Sequence, residues 1–311
     1  MEMKRYKVLF VGIGSIARRH IRNMLDIGEQ IGAQFEIDAF RRGTDKDYGI
    51  SDVYQEISDV PDDYDIVFIT NPTELHLASI EQFNKKGKNF FIEKPVVSLG
   101  QISNARKFEP KIDSVYYVAC PLRYNAVINY IKDNIDLNDV ISVRSISSSY
   151  LPDWRPGQDY RDTYSAHRDL GGGVSIDLIH EWDYLSYLFG FPNSVKSMIG
   201  RVSDLEIDSD DYAIYIAQYD KMVAELHLDY FGRNTIREIQ LFTREDTIIG
   251  DIVGNSIRFL KEGREISFDE NRDDYQKREL MHFLDIIEGK TSCDSDYYHA
   301  LKVLELTQGN I

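Results

Sequence analysis

The chain contains 311 residues, of which 42% are hydrophobic and 28% are charged, and 52 acidic against 36 basic side chains give it a formal net charge of −16. This composition excludes a disordered or collagen-like chain, and the charge disfavours nucleic acids and anionic membrane surfaces as partners. Because domains usually contain about 100–200 residues, the length favours two domains.

Cysteine content and hydropathy predict a protein of the reducing cytoplasm. The two cysteines, Cys120 and Cys293, lack Cys-x-x-Cys spacing, so buried free thiols are expected. No apolar stretch approaches the roughly 20 residues that a membrane helix needs, and the N-terminal residues show no apolar signal region. We therefore expect a cytoplasmic location, with neither a membrane nor a nucleic acid as partner.

The first 120 residues alternate between strand and helix patterns. Apolar runs predict strands at 7–11, 35–40, 65–70, 89–93 and 114–119. Helical spacing predicts helices at 18–27, 74–86 and 98–108. Such alternation is typical of a doubly wound parallel sheet, so residues 1–120 are predicted to form an α/β domain.

The pattern changes after residue 120. Strands are predicted at 140–150, 194–202, 211–219, 222–231, 235–243, 246–252 and 255–260. Helices are predicted at 125–134, 174–189, 272–288 and 296–308. Several strands are joined by short turns that suit hairpins, so residues 121–311 are predicted to form an α+β domain with a mostly antiparallel sheet.

A glycine turn lies between the first predicted strand and the first predicted helix. Gly12 and Gly14 are followed by Ser15, Ile16 and Ala17. Glycines let the backbone approach a pyrophosphate, and a helix N-terminus supplies free N–H groups. The alternative is a tight turn without a ligand, but the strand–turn–helix context favours dinucleotide binding.

The end of the second predicted strand bears on the choice between NAD and NADP. An acidic residue there usually holds the ribose of NAD, whereas an arginine accommodates the 2′-phosphate of NADP. This strand ends in Arg41 and Arg42, and Asp38 lies inside it rather than at its tip. The arginine pair favours NADP, unless both are ordinary surface charges or stack on the adenine.

Four separated motifs resemble one family, the Gfo/Idh/MocA oxidoreductases, which include glucose-fructose oxidoreductase and inositol dehydrogenase. The motifs are Gly12–Ala17, Thr70–His76, Glu93-Lys94-Pro95, and Gly171–Asp177 followed by His180. The resemblance implies a Rossmann domain, a C-terminal open-faced sheet, and NAD(P)-dependent oxidation or reduction of a sugar, cyclitol or related alcohol. It also implies cofactor contacts for Asn71, Pro72, His76, Glu93 and Lys94.

Lys94 stands at the position of the family's active-site lysine, which reaches the reacting alcohol and the nicotinamide. A lysine directly after an apolar strand, at the carboxyl edge of a parallel sheet, can donate to an oxygen that gains charge during hydride transfer. The alternative is a surface ion pair with Glu93.

Asp177 and His180 match the family's second signature, although they are three residues apart instead of the usual four. A helix would still place both on one face. His180 could accept the hydroxyl proton and Asp177 could orient it or contact the substrate, and the altered spacing leaves their roles open. Glu181 and Asp183 lie nearby, but without a second histidine at metalloprotease spacing we predict no metal site.

The loop over residues 151–168 is rich in Trp, Tyr and Arg. Rings and forked guanidinium groups suit a sugar that carries a carboxylate or phosphate, such as a nucleotide-sugar. The loop arginines could instead neutralise neighbouring aspartates. The predicted substrate-binding residues are Arg123, Tyr124, Trp154, Arg155, Tyr160, Arg161 and Tyr164.

Alternating residues around 212–217 leave both faces of the second sheet partly apolar, and family members commonly pair through that sheet. A homodimer or homotetramer is therefore expected. The sequence predicts an NAD(P)-dependent oxidoreductase acting on a sugar, sugar-nucleotide or polyol. The alternatives are a tightly bound NAD(P) that supports elimination or epimerisation, and a non-catalytic NAD(P)-binding regulator.

Overall fold

The computed structural model describes residues 4–309. The chain divides into two compact units. The first comprises the chain up to Ala119 together with Arg272–Leu301, and the second comprises Cys120–Asn271 and the chain from Lys302 onward. The segment Arg272–Leu301 falls within the range predicted for the second domain, 121–311, but belongs to the first unit.

The first unit is built on a six-stranded parallel sheet with the strand order β3-β2-β1-β4-β5-β6. Its strands are β1 Lys4–Val11, β2 Ala33–Phe40, β3 Ile50–Tyr54, β4 Tyr64–Ile69, β5 Gly87–Ile92 and β6 Tyr116–Val118. The helices between them are α1 Ser15–Ile31, α2 His76–Phe83 and α3 Ile102–Ala105. The predicted doubly wound sheet is confirmed, and its strand order reverses between β1 and β4, the place where such sheets bind ligands.

Aromatic packing explains why the late segment belongs to the first unit. Phe68 of β4 stacks on Phe91 of β5 with 4.8 Å between ring centroids. Phe283 lies on helix α7, Arg272–Ile287, and its ring meets those of Phe91 and Tyr117 at 5.3 and 5.6 Å. These apolar side chains are buried, so α7 covers the sheet. The sequence pattern predicted the helix but could not assign the sheet that it covers.

Strand β3 has no counterpart among the predicted strands. Its sequence, Ile-Ser-Asp-Val-Tyr, is short and polar because it forms the edge of the sheet beside β2. Asp38 of β2 is buried and accepts hydrogen bonds from the backbone N–H of Asp52, at 3.0 Å, and from the hydroxyl of Tyr64, at 2.7 Å. Asp38 therefore fixes the edge of the sheet.

The second unit contains an eight-stranded sheet with the order β14-β13-β12-β11-β7-β10-β9-β8. Its strands are β7 Val140–Tyr150, β8 Ser194–Gly200, β9 Tyr212–Gln218, β10 Val223–Asp229, β11 Phe231–Thr243, β12 Thr247–Asp251, β13 Ser256–Phe259 and β14 Arg264–Ser267. The pair β7 and β10 is parallel and the other pairs are antiparallel. The predicted mostly antiparallel sheet is confirmed, and the short edge strand β14 was not predicted.

The second unit contains the helices α4 Ala126–Asn134, α5 Val174–Asp177 and α6 His180–Phe189, and the end of α8 Tyr297–Leu306, which begins in the first unit. The single helix predicted over 174–189 is wrong in one respect, because Leu178 and Ile179 interrupt it. Leu178 adopts φ −98° and ψ 29°, which ends α5 after one turn. Asp177 and His180 therefore belong to different helices, and the argument from one shared helical face does not apply.

Alternation along β9 separates a covered face of the sheet from an exposed one. Ala213, Tyr215 and Ala217 are buried, and the ring of Trp182 on α6 meets that of Tyr215 at 5.2 Å. On the other face, Ile214 and Ile216 are 37% and 56% exposed. No helix between residues 4 and 309 has the length and apolarity needed to cross a membrane.

Candidate functional site

The glycine turn after β1 is shaped by a close backbone approach. Gly12 has φ +89°, and a Cβ placed on it would lie 2.7 Å from the Cα of Asn71. Its carbonyl accepts a hydrogen bond from the hydroxyl of Thr70 at 2.7 Å. Only glycine satisfies both the positive φ and the contact, so the turn joins the carboxyl ends of β1 and β4 at the point where the strand order reverses.

The N-terminus of α1 is open for an anionic ligand. Gly14 precedes the helix, no side chain caps its first turn, and that turn contains no acidic residue. A Cβ on Gly14 would meet nothing within 4 Å, so packing does not demand this glycine. Ser15 is exposed and Ile16 is half-buried. Free helix N–H groups behind a backbone without a Cβ fit a cofactor pyrophosphate.

Arg41 and Arg42 differ in their environments at the end of β2. The Arg41 side chain is 18% exposed, and its guanidinium nitrogens lie 3.6 Å from Asp47 and 3.9 Å from Asp45. Nη1 of Arg41 is buried without a hydrogen-bond partner among residues 4–309. Arg42 is exposed, and its carbonyl accepts a hydrogen bond from Gln55. The two long ion pairs with Asp45 and Asp47 therefore leave Nη1 of Arg41 without a hydrogen-bond acceptor among the described residues.

The loop after β4 is fixed by His76. This histidine is 1% exposed, and its ring nitrogens lie 2.9 Å from the carbonyl oxygen of Asn71 and 3.0 Å from that of Pro95. Burial lowers the pKa of His76, and the hydrogen bonds with the carbonyl oxygens of Asn71 and Pro95 oppose this shift. The amide nitrogen of Asn71 donates to Ser79 at 2.7 Å, and Pro72 is exposed. His76 thus connects the loop after β4 with the loop after β5.

The loop after β5 carries Glu93 and Lys94. Oε1 of Glu93 lies 2.6 Å from Nε2 of His20 on α1, and Oε2 accepts a 3.3 Å hydrogen bond from the backbone N–H of Lys94. Burial alone would raise the pKa of Glu93, but the hydrogen bond from His20 and the charges of His20 and Lys94 lower it. The carboxylate therefore fixes the backbone of Lys94 and leaves that side chain half-buried.

The glycine triplet of the second unit precedes α5 and is dictated by close contacts. Gly173 has φ +132°, and a Cβ on it would lie 2.4 Å from Oδ1 of Asp210. A Cβ on Gly172 would lie 2.0 Å from the carbonyl oxygen of Tyr164. Asp210 also accepts a 2.9 Å hydrogen bond from the backbone N–H of Ser175. The triplet therefore holds the 151–170 loop against the segment that carries Asp177.

Asp177 is held by two tyrosines. It is 5% exposed, and its Oδ2 accepts a 2.6 Å hydrogen bond from the hydroxyl of Tyr230. Tyr164 also donates to it, although the Tyr164 ring is 44% exposed. Burial, followed by the charge of Asp177, raises the pKa of both phenols, so both keep their protons and act as donors. His180 is half-buried at the start of α6.

Two acidic residues that follow His180 form ion pairs with arginines. Glu181 is fully buried, and its Oε1 lies 2.7 Å from Nε of Arg237. Asp183 accepts two hydrogen bonds from Arg123, at 2.7 and 2.9 Å. Arg123 is 1% exposed, so this bidentate ion pair is buried. The sequence predicted that Arg123 binds substrate, whereas the structure shows its guanidinium engaged by Asp183. Both carboxylates hold α6 in place.

A possible metal-ligand cluster lies at the surface of the second unit. His167, Asp169 and Asp208 bring three ligand atoms within 4.8 Å of one another. Asp208 already accepts a 2.6 Å hydrogen bond from the backbone N–H of Arg168, and its other oxygen lies 3.6 Å from Nδ1 of His167. Hydrogen bonding within the loop accounts for this arrangement.

The other predicted substrate residues have different partners. Nε1 of Trp154 donates to Ser149 at 2.9 Å, and its ring meets that of Tyr230 edge-on at 5.2 Å. The guanidinium of Arg155 lies 5.3 Å from the ring centroid of Tyr164.

Tyr124 is half-buried beside Arg123 in the chain. The hydroxyl of Tyr160 accepts a 3.2 Å hydrogen bond from the backbone N–H of Glu206. Arg161 pairs with Asp159 and Glu206 at 2.7 and 2.6 Å, which favours the neutralising interpretation for this arginine. Trp154 and Arg155 therefore contact the two tyrosines that hold Asp177, whereas Arg161 pairs with two carboxylates.

His20 and Tyr230 contact motif residues, and the sequence pattern did not reveal either of them. His20 lies inside α1 without a motif, and Tyr230 lies inside the strand predicted over 222–231 as an ordinary aromatic residue. Each acquires its role by contacting a motif residue distant in sequence, Glu93 and Asp177 respectively. The sequence carries no motif at either position, so these contacts are recognised only in the folded chain.

The sequence matches two family models. Residues 6–119 match the NAD-binding Rossmann fold of the oxidoreductase family GFO_IDH_MocA, and residues 129–249 match the GFO/IDH/MocA C-terminal domain. The chain belongs to the Gfo/Idh/MocA family of NAD-binding oxidoreductases, which confirms the resemblance found in its motifs. No curated protein sequence matches the chain.

Solved structures are similar over nearly the whole chain. UDP-N-acetylglucosamine 3-dehydrogenase GnnA from Acidithiobacillus ferrooxidans is 19% identical with a TM-score of 0.78, over 98% of this chain and 96% of that one. Levoglucosan dehydrogenase, in complex with NADH and levoglucosan, is 15% identical with a TM-score of 0.84, over 98% and 96%. The WlbA dehydrogenase from Bordetella pertussis, in complex with NADH and UDP-GlcNAcA, is 17% identical with a TM-score of 0.78, over 99% and 95%. At these identities the likeness establishes the fold.

Proposed function

We propose that the protein is an NAD(P)-dependent dehydrogenase or reductase that acts on a CH–OH group of a sugar or sugar derivative. The observation that carries this proposal is the fixed Glu93-Lys94-Pro95 loop at the carboxyl edge of the nucleotide-binding sheet. His20 holds Glu93 there, and His76 holds the backbone of Pro95. When bound, the nicotinamide supplies the hydride acceptor or donor.

Lys94 serves as the electrophilic group in this proposal. An ammonium placed beside the substrate oxygen stabilises the charge that the oxygen gains as hydride is transferred. The hydrogen bond between the Lys94 backbone and Glu93 sets the position of the lysine. Glu93 is thus a positioning residue that acts through Lys94.

His180 serves as the acid–base group, and Asp177 as its positioning partner or a direct substrate contact. His180 is half-buried and has the side chain whose ordinary pKa lies nearest neutrality. Asp177 already accepts hydrogen bonds from Tyr164 and Tyr230. A carboxylate that already accepts hydrogen bonds from two phenols is suited to a positioning role.

The cofactor is proposed to be NADP rather than NAD. Its support is the buried Nη1 of Arg41, which lacks a hydrogen-bond partner among the described residues and could donate to a 2′-phosphate. Gly14, Ser15 and Ile16 would hold the pyrophosphate through backbone N–H groups. Gly12, whose N–H donates to the carbonyl of Phe40, would let the backbone of the turn approach it. Against NADP stand the acidic neighbours Asp45 and Asp47, and two of the similar structures contain NADH.

The substrate is proposed to be a sugar, a nucleotide-sugar or a related polyol. Trp154 and Tyr164 supply ring surfaces near Asp177, and Arg155 supplies a guanidinium that pairs with no carboxylate among residues 4–309. Among the similar proteins, one is a UDP-N-acetylglucosamine 3-dehydrogenase, and two others hold levoglucosan and UDP-GlcNAcA. Rings that stack on a pyranose together with an arginine suit such compounds.

Assembly through the exposed face of the second sheet is part of the proposal. Met198, Ile214 and Ile216 are 67%, 37% and 56% exposed, and Met198 lies opposite Ile214 in the β8–β9 register. Such a contiguous apolar face favours a homodimer or homotetramer. Light scattering on the wild type and on Ile216→Lys tests it, since the variant should release monomers.

The test of the activity is cofactor titration followed by turnover. Fluorescence titration with NADPH and NADH measures binding, and absorbance of the reduced nicotinamide then reports turnover with sugars and nucleotide-sugars. Net cofactor oxidation or reduction supports a dehydrogenase. A product formed without net change in the cofactor identifies an eliminase or epimerase with a recycled cofactor. Cofactor binding without any product identifies a regulator.

A further inference from the structure

One aspartate of the loop after β2 lies between two arginines. Oδ1 of Asp47 lies 3.6 Å from Nη1 of Arg41, and its Oδ2 lies 4.0 Å from Nη2 of Arg18 on α1. Charge-assisted hydrogen bonds between such groups are about 2.7–2.9 Å long, so Asp47 attracts both guanidinium groups without hydrogen bonding to either. The two arginines therefore keep N–H donors for a stronger anion.

Both guanidinium groups are held in place by other contacts. That of Arg18 lies over the ring of Tyr48, 5.0 Å from the centroid. That of Arg41 packs against its own loop, where a Cβ on Gly43 would lie only 3.2 Å from Nη2. A guanidinium that packs through its face keeps the N–H groups at its edge for an oxyanion. The structure therefore supplies two fixed cations on either side of Asp47.

The backbone turns sharply directly after Asp47. Tyr48 has φ +60° and Gly49 has φ +77°, so two successive residues lie in the left-handed region. A bulky residue such as tyrosine rarely adopts this conformation, and residues that do so cluster at functional sites. The contact between the Arg18 guanidinium and the Tyr48 ring helps to hold it. The turn and this contact together keep Asp47 facing α1.

The two arginines lie beside the glycine turn that is proposed to bind the pyrophosphate. The N–H of Gly12 donates to the carbonyl of Phe40 at 2.9 Å, which ties the turn to the residue before Arg41. Arg18 is the fourth residue of α1, the helix that begins directly after the turn. The tip of the second strand is where this fold recognises the 2′ position of the adenosine ribose. Asp47 and its two arginines are therefore placed to meet a 2′-phosphate.

We infer that Asp47 takes the place of the cofactor's 2′-phosphate between Arg18 and Arg41, and that NADP(H) displaces it. Nη1 of Arg41 is buried beside Asp47, so the loop has to rearrange before a phosphate can reach this donor. A phosphate carries more charge than a carboxylate and matches the guanidinium fork, which favours the exchange. The inference rests on the proposed function, since it assumes that a dinucleotide binds at the glycine turn. It adds Arg18 as a second phosphate contact and makes Asp47 the residue that limits the preference for NADP.

The opposite role for Asp47 is that of an acid that holds the ribose diol of NAD. The two roles make opposite predictions for Asp47→Asn. If Asp47 competes with the phosphate, the variant binds NADPH more tightly, and if Asp47 holds the ribose, the variant binds NADH more weakly. The matched control is Asp52→Asn, which removes the same charge from the neighbouring strand β3, where Asp52 pairs with Lys46 at 2.7 Å.

The experiment measures nucleotide binding and does not depend on turnover. Fluorescence titration gives the dissociation constants of NADPH and NADH, and displacement of the bound nucleotide gives those of adenosine 2′,5′-bisphosphate and 5′-AMP. These two fragments lack the nicotinamide and differ only in the 2′-phosphate. Arg18→Met is compared with Arg22→Met, because Arg22 lies about one turn further along α1 and pairs with Asp273 at 2.9 Å.

The inference predicts that Asp47→Asn binds NADPH and the bisphosphate about fivefold or more tightly than the wild type, with NADH and 5′-AMP unchanged. Arg18→Met should weaken NADPH binding about tenfold or more, and both control variants should behave as the wild type. The inference is overturned if Asp47→Asn weakens NADH binding or leaves NADPH binding unchanged, if Asp52→Asn tightens NADPH binding equally, or if Arg18→Met binds NADPH as the wild type does. Absence of binding by both cofactors refutes the proposed function, whereas cofactor binding without a response to Asp47→Asn refutes this inference alone.

Discussion

The hydroxyl of Tyr230 donates a 2.6 Å hydrogen bond to Oδ2 of Asp177, between the end of β10 and the end of α5. Both side chains are buried, with Tyr230 fully enclosed and Asp177 5% exposed. Burial raises the pKa of Tyr230 well above its ordinary value, so the phenol remains a donor throughout the working pH range. The orientation of Asp177 therefore depends on a residue outside the family motifs.

Replacing this donor tests that dependence. Tyr230→Phe should lower kcat by about 10- to 100-fold, because a hydrogen bond to a charged group contributes roughly 1.5–3 kcal/mol. The KM for the cofactor should not change. Tyr219→Phe is the matched control, since Tyr219 is also buried in this unit but its hydroxyl has no partner among the described residues. Equal losses of kcat in both variants would assign Tyr230 a packing role only.

The two glycines of the first turn should respond differently to alanine. Gly14→Ala should leave the melting temperature unchanged, since its φ of −95° suits alanine and its Cβ would meet nothing within 4 Å. It should weaken NADPH or NADH binding by about tenfold or more, because the methyl group occupies the approach to the helix N–H groups.

Gly12→Ala should destabilise the fold by at least about 1–3 kcal/mol, because of its φ of +89° and a contact of 2.7 Å to the Asn71 backbone. Thermal melts and cofactor titrations of both variants separate the two effects. Unchanged cofactor affinity in Gly14→Ala would contradict a pyrophosphate site at this turn.

The pair His20–Glu93 predicts a change in the pH dependence of stability. The pKa of Glu93 is lowered in the folded protein, so its contribution is present above the ordinary value of 4.5 and is lost as pH falls below it. In His20→Phe the ring packing stays but the hydrogen bond is lost, so burial should raise the pKa of Glu93. The stability of this variant should then increase, relative to wild type, as pH falls from 7 towards 5.

Thermal melts across this pH range measure the effect. The double variant His20→Phe with Glu93→Gln is the control, because it lacks the titrating carboxyl. Identical pH profiles for wild type and His20→Phe would show that His20 does not set the charge of Glu93.

Arg41 is expected to decide cofactor preference. Arg41→Ala should weaken NADPH binding by about tenfold or more while NADH binding is kept, since a guanidinium–phosphate contact is charge-assisted. Lys46→Ala removes an exposed cation from the same loop and should change neither affinity. Fluorescence titration supplies all four dissociation constants for the two variants. NADH-favoured binding in the wild type would refute the NADP assignment.

The sequence predicted both sheets because their strands carry strong local patterns, such as the buried run Val8–Val11 and the alternation in β9. It missed β3 and β14, which are short polar edge strands, and the interruption of the helix at Leu178–Ile179. Motif residues such as Glu93 and Asp177 were identifiable in advance. Their partners His20 and Tyr230 were not, because those contacts join segments 73 and 53 residues apart.

The roles of the arginines were also beyond prediction from sequence, because they depend on contacts in the folded chain. Charge pattern alone could not distinguish Arg123, which is buried against Asp183, from Arg155, which lies over Tyr164. Both were predicted to bind substrate, and only the folded environment separates a cation used inside the protein from one available to a ligand.

The proposed hydride transfer that depends on Lys94 is tested most directly by the rate of nicotinamide oxidation or reduction with sugars and nucleotide-sugars in wild type and Lys94→Ala. We predict turnover in the wild type, and in the variant a loss of kcat of about a hundredfold or more, at cofactor affinity within a few-fold of wild type. Turnover that survives in Lys94→Ala at the wild-type rate would refute a role for Lys94 in hydride transfer.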